Sequence, residues 1–343
     1  MVKIHIYGSD ERIVNCARVS FNKSAQNYSI EKNVNLIKYL YTHKHYSPFE
    51  HCVIFIEKDL EFPLENIYQP YKTKFLDLIE NSNTLFYTFI ELRKSIGNFS
   101  PIFYSINKEK CKEFIVLTLR TYFQSIMNND DIDKSLKFLI ENAIREKLPA
   151  TYRVLKGIND LVDFSFDKGK ESVYIEEVFD KYRVKLIDYT NFGIDMDYYT
   201  FYVEAPIFVA RQWFRHRFGN FNEISRRYVD YDIEFFMVDY FRERDKNKKQ
   251  GSKDEVNEFN GIAKFLVKVN NFITHSIYKL LLNMSVPPEQ ARMVLPQNLI
   301  TKFYWTVPRI SLENFLKLRS DENSQKEIRE YAEAIKKLMH GIK

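Results

Sequence analysis

The sequence predicts an α+β chain: an antiparallel sheet with flanking helices, interrupted by a mostly helical insertion. Three observations predict it. Val2–Tyr7 and Cys52–Glu57 read as short strands, and Val184–Tyr189 and Tyr198–Val203 echo them later. Apolar residues elsewhere recur at helical spacing. From about Lys58 to Asp197 the texture changes to a Lys-, Asn-, Phe- and Tyr-rich stretch without Trp, read mostly as helices.

The elements follow in order. Ser9–Val19 and Ile30–His43 read as helices, with Val34, Ile37, Leu40 and Tyr41 on one face of the second. Ile115, Leu119, Tyr122 and Ile126 form one apolar stripe. Ala205–Arg217 reads as a helix led by Pro206. Arg242–Glu255 is charged and turn-rich, and reads as an exposed loop. Phe259, Ile262, Phe265, Leu266, Val269, Phe272, Ile273 and Ile277 mark a long helix whose apolar face is expected in the core. Pro287-Pro288 opens a further helix that Pro296 ends, Ser311 caps the next, and Lys326–Met339 supplies the last.

Composition narrows the function. The 343 residues are 45% apolar and 28% charged, enough for a sizeable core. A net charge of +5 is too small for a dedicated polyanion binder and suits small anionic substrates. Three cysteines without a CxxC pair point to a reducing, cytoplasmic setting. No apolar run approaches the ~18 residues of a membrane span, and Met1–His5 does not open a signal peptide. There is no GxGxxG and no Walker loop.

The densest chemistry lies between Ala205 and Tyr228, with five arginines and one acid, Glu223. Arg211 and Arg215 are four apart, which on a helix places like charges on one face. An anion relieves that repulsion, and the planar guanidinium suits phosphate or carboxylate. A solvated basic face explains the composition equally well, and interleaved aromatics allow a nucleic-acid surface. His43, His45 and His51 do not complete a metal-binding pattern, so no metal is expected.

Arg215-His216-Arg217, seven residues, then Ser225 resembles the RHR-x7-S signature of flavin-dependent thymidylate synthases. Ala17–Ser20, His43–His51, Glu204–Trp213, Val286–Pro296, Phe303–Val307 and Asn314–Arg319 resemble further motifs of that family, in family order. The resemblance covers residues 1–57 and about 198–339. It implies that family's fold, as one catalytic domain (1–58 and 198–343) interrupted by an insertion at about 59–197.

The resemblance also implies a reaction and roles. Deoxyuridylate (dUMP) becomes thymidylate, methylenetetrahydrofolate gives the carbon, FADH2 gives the hydride, and NADPH is the reductant. Uracil C5 is a poor nucleophile, and this chain has no obvious cysteine for the thiolate route, which fits electrostatic activation of the base. Arg319 is expected against the uracil, and His45 near flavin and folate. Gln212, Arg215, Glu223, Ile224, Ser225, Arg226, Arg227 and Arg292 are expected to bind dUMP. Ser20, Ser47, Arg215, His216, Arg217, Glu223, Arg309 and Asn314 are expected to bind FAD. A homotetramer with inter-subunit sites is implied, with no nucleic acid or membrane partner.

The chain departs from the family pattern at Pro308, where an Asn is frequent, at Asn323 for His and at Arg226 for Gly. Pro308 has no backbone donor, so a flavin contact there is lost or passed to Arg309. The competing readings are a pyrimidine methylase for another nucleotide, and a catalytically silent relative that binds nucleotide or RNA through the Arg-rich segment.

Overall fold

A computed structural model describes residues 2–59, 103–107, 109–127, 134–158, 166–167, 175–179, 182–245 and 252–342. The chain opens with β1 (Val2–Tyr7). Ser9 then caps α1 (Asp10–Arg18), its Oγ accepting from Arg12 N–H at 3.0 Å. Ser29 caps α2 (Ile30–Thr42) in the same way through Lys32. A 3₁₀ turn, Ser47–His51, leads into β2 (Val53–Asp59). The hairpin β3 (Phe103–Asn107) and β4 (Lys112–Thr118) joins β2 in an antiparallel sheet of order β1-β2-β4-β3. As an inner strand β2 is buried on both faces, which explains its unbroken apolar run. Ile54 and Ile56 face the helices; Val53 and Phe55 face the second sheet. Gly8 ends β1 at φ +107°, where a Cβ would lie 2.5 Å from the Cys52 sulfur.

The helices α3 (Leu119–Met127), α4 (Lys134–Lys147) and α5 (Pro149–Leu155) cover the outer face with α1 and α2. Buried Asp10 ties α5 to α1. Its carboxylate accepts the N–H groups of Ala150 and Thr151, each at 3.0 Å. Burial pushes its pKa up to about 6 against those bonds.

The second sheet comprises β5 (Ile175–Phe179), β6 (Tyr182–Tyr189), β7 (Tyr198–Pro206), β8 (Asn220–Glu223) and β11 (Ile300–Pro308). Its order is β5-β6-β7-β11-β8, antiparallel throughout. Between these strands come α6 (Ile207–Trp213), the small hairpin β9 (Arg242–Arg244) and β10 (Ser252–Val256), α7 (Asn260–Asn283) and α8 (Pro288–Ala291). Two last helices, α9 (Arg309–Arg319) and α10 (Lys326–His340), follow β11. With α6 they pack on one face around Trp213, Trp305, Phe303, Phe315 and Tyr331. The other face meets the first sheet through Tyr7, Phe55, Val116, Met196 and Tyr198. Tyr7 Oη lies 2.7 Å from Thr200 Oγ1 across that junction.

Several elements differ from the sequence expectation. Phe103–Asn107 and Lys112–Thr118 pair as antiparallel strands, so Ile115 is a strand residue, while Leu119, Tyr122 and Ile126 keep the helical stripe. The stretch Lys58–Asp197 therefore contributes strands to both sheets as well as helices; its remaining residues lie outside the described ones. Arg242–Glu255, expected as a loop, holds the paired strands β9 and β10. Ser311 caps nothing: α9 starts at Arg309 straight from β11, and Ser311 is buried within it. The largest difference is α7. Its apolar face is exposed, with Phe265 at 64% and Phe272 at 75%, and Tyr278 is its one buried residue. Periodicity reports that a face is apolar, not which molecule covers it.

Candidate active site

The Arg-rich segment begins where β7 ends. Pro206 still pairs with Ile300, so α6 starts at Ile207 and closes at Trp213, where His216 N–H bonds to Trp213 C=O at 3.0 Å. The expected helix Ala205–Arg217 is thus shorter at both ends. Arg211 lies on it and Arg215 beyond it, so the two do not share a helical face. The buried indole of Trp213 anchors the segment among Phe303, Trp305 and Phe315. Gly219 then crosses Trp305 so closely that a Cβ would sit 2.7 Å from the indole nitrogen. This close passage directs the chain into β8, which pairs with β11 from Phe303↔Glu223 to Thr306↔Asn220.

A cavity of about 290 Å³ opens beside these elements, lined by Arg211, Glu223, Ile224, Arg226, Arg292 and Thr301 among others. It unites four of the residues expected for dUMP. Arg211 and Thr301 were not among them. The fifth arginine of the segment was a visible signal for Arg211; no signal pointed to Thr301. Thr301 Oγ1 donates to the Glu223 carboxylate. Packing around that carboxyl raises its pKa, against the pull of Thr301, Arg292 and Arg226. Arg226 is buried and largely committed to the fold. Its guanidinium donates to the carbonyls of Tyr231 (2.7 Å) and Asp232 (2.9 Å), while Nε has no partner among the described residues.

Ser20 joins this group from the first sheet's side. Its Oγ donates to Glu223 C=O at 3.1 Å, and its own C=O accepts from Ser225 N–H at 3.0 Å. Ser225 Oγ accepts from the Arg227 side chain and backbone rather than from a base. Arg227 lies over Tyr228, which stacks exposed on Phe21.

A second group surrounds Arg319, at the C-terminal end of α9. Its Nε donates to His216 Nε2 at 3.0 Å and Nη2 to Gln212 C=O at 3.2 Å. Nη1 has no partner among the described residues. Burial and the neighbouring guanidinium hold His216 down to about pKa 4. The neutral ring thus carries its proton on Nδ1 and accepts at Nε2. Gln212 Nε2 donates to Gln325 at 2.6 Å.

The remaining residues lie elsewhere in the chain. His45 and Ser47 are exposed at the end of α2 and the start of the 3₁₀ turn, with His45 edge-on to Tyr39. Arg309 opens α9, about 15 Å of helical rise from Arg319, and pairs with Glu313. Asn314 is exposed on the same helix. Pro308 is buried opposite Tyr198, and Asn323 is exposed and bonds to Asp321. Arg215 and Arg217 are exposed and, like Arg211, make no polar bond to the described residues. Such free guanidinium groups fit phosphate esters of a nucleotide or a dinucleotide cofactor.

His51 holds the base of the site. It is fully buried, its Nδ1 2.7 Å from Thr306 Oγ1 and Nε2 3.1 Å from Asn222 Oδ1. Burial lowers its pKa to about 3. The folded value lies below the ordinary 6.5, so the stability it contributes is present above pH 6.5 and lost as pH falls towards 3. His51→Gln removes that proton uptake. Its stability deficit relative to wild type is expected to shrink by about 1.4 kcal/mol per pH unit below 6.5. Denaturant titrations from pH 7 to 4.5 check this; a constant deficit rules it out.

Among the described residues, no helix is long and apolar enough to cross a membrane, and no cluster of His, Cys, Asp or Glu could hold a metal ion. An α+β fold with an arginine-lined cavity and a guanidinium held by a neutral imidazole defines a nucleotide-binding enzyme class. Residues 3–60 and 185–342 match the sequence profile of the thymidylate synthase complementing protein family. A flavin-dependent thymidylate synthase of Aquifex aeolicus is 38% identical over 348 residues, spanning 99% of this chain and 96% of that relative. One from Thermosipho africanus is 46% identical over 39% of this chain and 59% of its own length. One from Borreliella burgdorferi is 34% identical over 56% of this chain and 79% of its own. The chain belongs to the flavin-dependent thymidylate synthase family.

Proposed function

We propose that this chain methylates dUMP to thymidylate, taking the carbon from methylenetetrahydrofolate with NADPH as reductant. FAD, when bound, supplies the hydride chemistry. The observation that carries the reading is the cavity lined by Arg211, Arg226 and Arg292, where the Arg211 guanidinium makes no polar bond to the described residues.

Each residue has a task that follows from its chemistry. Arg292 and Arg215 hold the nucleotide phosphate, with Ser225 and Arg227 to fix its position, and Ile224 lines the cavity wall. Arg226 braces the loop through the Tyr231 and Asp232 carbonyls while lining the cavity. Glu223 and Gln212 accept and donate at polar edges of the ligands. Arg319 presents Nη1 to the base and stabilises negative charge at N3, which makes C5 more nucleophilic. His216 keeps Arg319 aimed and cannot compete with it as a cation, because its ring is neutral. Arg217, Ser20, Ser47, Asn314 and Arg309 would hold FAD, and His45 would position flavin and folate.

We propose a homotetramer with sites shared between subunits. The exposed apolar face of α7 supports it, as does the distance between Arg309 and Arg319 on one chain. The three cysteines, none of them in a disulfide and two of them buried, support a cytoplasmic location.

A product assay with dUMP, methylenetetrahydrofolate, FAD and NADPH tests the reading. Purified protein is expected to show visible flavin absorbance and to release thymidylate. A colourless protein that cannot be loaded with FAD and yields no product would overturn it.

A further inference from the structure

The family-matched stretches end at residue 60 and resume at 185. Between them, α3 packs directly on the turn that carries Ser47 and follows His45. We propose that Arg120, on α3, is a positioning residue for this turn, so that the intervening segment is a working part of the site. The inference rests on the placement of His45 and Ser47 beside flavin and folate.

Arg120 Nη1 donates to Glu50 Oε1 at 2.6 Å, its one hydrogen bond among the described residues. Glu50 C=O in turn accepts from Asn220 Nδ2 at 2.9 Å, and the next residue, His51, bonds to Asn222. Asn220 and Asn222 belong to β8, which ends on Glu223 in the cavity. Arg120 thus locks one residue that faces both halves of the site. Apolar contacts reinforce the lock. Phe123 of α3 packs edge-on to Phe49 at 5.1 Å and to Tyr41 at 5.0 Å, and both phenylalanines are fully buried. Tyr46 Oη donates to Met127 Sδ at 2.7 Å. Leu119 N–H bonds to Cys52 C=O, joining the start of α3 to the end of the turn. Burial raises the Glu50 pKa and Arg120 opposes the rise, so removing the cation leaves a crowded carboxylate without its partner. The turn then relaxes around Glu50 while the Phe49–Phe123 packing keeps the protein folded.

The test compares Arg120→Met and Arg120→Lys with wild type as holoenzyme. Arg120→Met keeps its circular dichroism and melts within a few degrees of wild type. Its FAD dissociation constant, read by flavin fluorescence, and its KM for methylenetetrahydrofolate rise about tenfold, while saturated kcat falls less than about threefold. Arg120→Lys regains most of both losses, and Glu50→Gln reproduces the Met variant. Unchanged FAD affinity and KM in Arg120→Met overturn the proposal. So does a uniform fall of every parameter with the melting midpoint, or a Lys variant no better than Met. Wild-type protein that neither binds FAD nor makes thymidylate overturns the functional reading itself, a result distinct from the others.

Discussion

Arg319→Ala is expected to keep its flavin and to make no measurable thymidylate. The side chain ends α9, where two bonds fix its plane: Nε to His216 and Nη2 to Gln212 C=O. Holding a cation in a half-buried site costs free energy, and burial accordingly lowers the Arg319 pKa. A stability-driven sequence would place a neutral residue there. The arrangement makes sense when a ligand brings negative charge to the free Nη1. On the proposed reading that charge is the deprotonated or polarised pyrimidine, activated by Arg319. Removal of one preorganised donor of this kind lowers rates by roughly 10²–10³-fold or more. Arg319→Lys is expected to fail as well, because an ammonium on a flexible stem cannot grip His216 and Gln212 and still face the base. Single-turnover product assays, with flavin absorbance as the control for binding, read both variants. Turnover within about tenfold of wild type would remove Arg319 from the activating role.

Much of this arrangement was legible in the residues, and the failures have physical causes. Ser9 and Ser29 announce α1 and α2 because a cap is a local hydrogen bond that sequence spacing reports directly. The Arg-rich segment marks the cavity through Arg211, Glu223, Ile224 and Arg226, whereas Arg215, His216, Arg217 and Ser225 are not among the residues that line it. Arg226 was misjudged in part: sequence shows a cation but not the carbonyls of Tyr231 and Asp232 that occupy it. Ser311 looks like a cap because serine is a favoured N-cap residue. The strand instead runs into the helix at Pro308, whose fixed φ of −73° makes the transition without a side-chain cap. The paired strands β3 and β4 were missed because a strand buried on both faces shows an apolar run like that of a buried helix. Thr301 was invisible for a similar reason. Its place beside Glu223 comes from β11–β8 pairing across 78 positions of sequence.

Replacing two residues on the exposed face of α7, Phe265→Glu with Phe272→Glu, is expected to break the assembly and abolish activity together. The pair lies seven apart, on one stripe of a 24-residue helix. Ile262, Leu266, Ile273, Ile277 and Leu280 extend the same exposed surface, in a chain whose sheet cores fully bury Phe55, Phe201, Trp213, Phe303 and Trp305. Covering each such side chain contributes roughly 1.5–3 kcal/mol, so a second copy stacked on this face gains enough to offset the entropy of association. Two carboxylates in the stripe lose that gain and add the cost of burying charge. The helix itself should survive, since Tyr278 is its one buried residue and the substitutions meet water in the isolated chain. Light scattering coupled to gel filtration is expected to report a smaller particle with unchanged helical content. On the proposed assembly, activity should fall with the mass, because Arg309 lies about 15 Å of helical rise from Arg319 and a neighbouring copy would complete the site. A variant of unchanged mass would leave the stripe without its partner, and full activity in a dispersed variant would show that one chain builds the site alone.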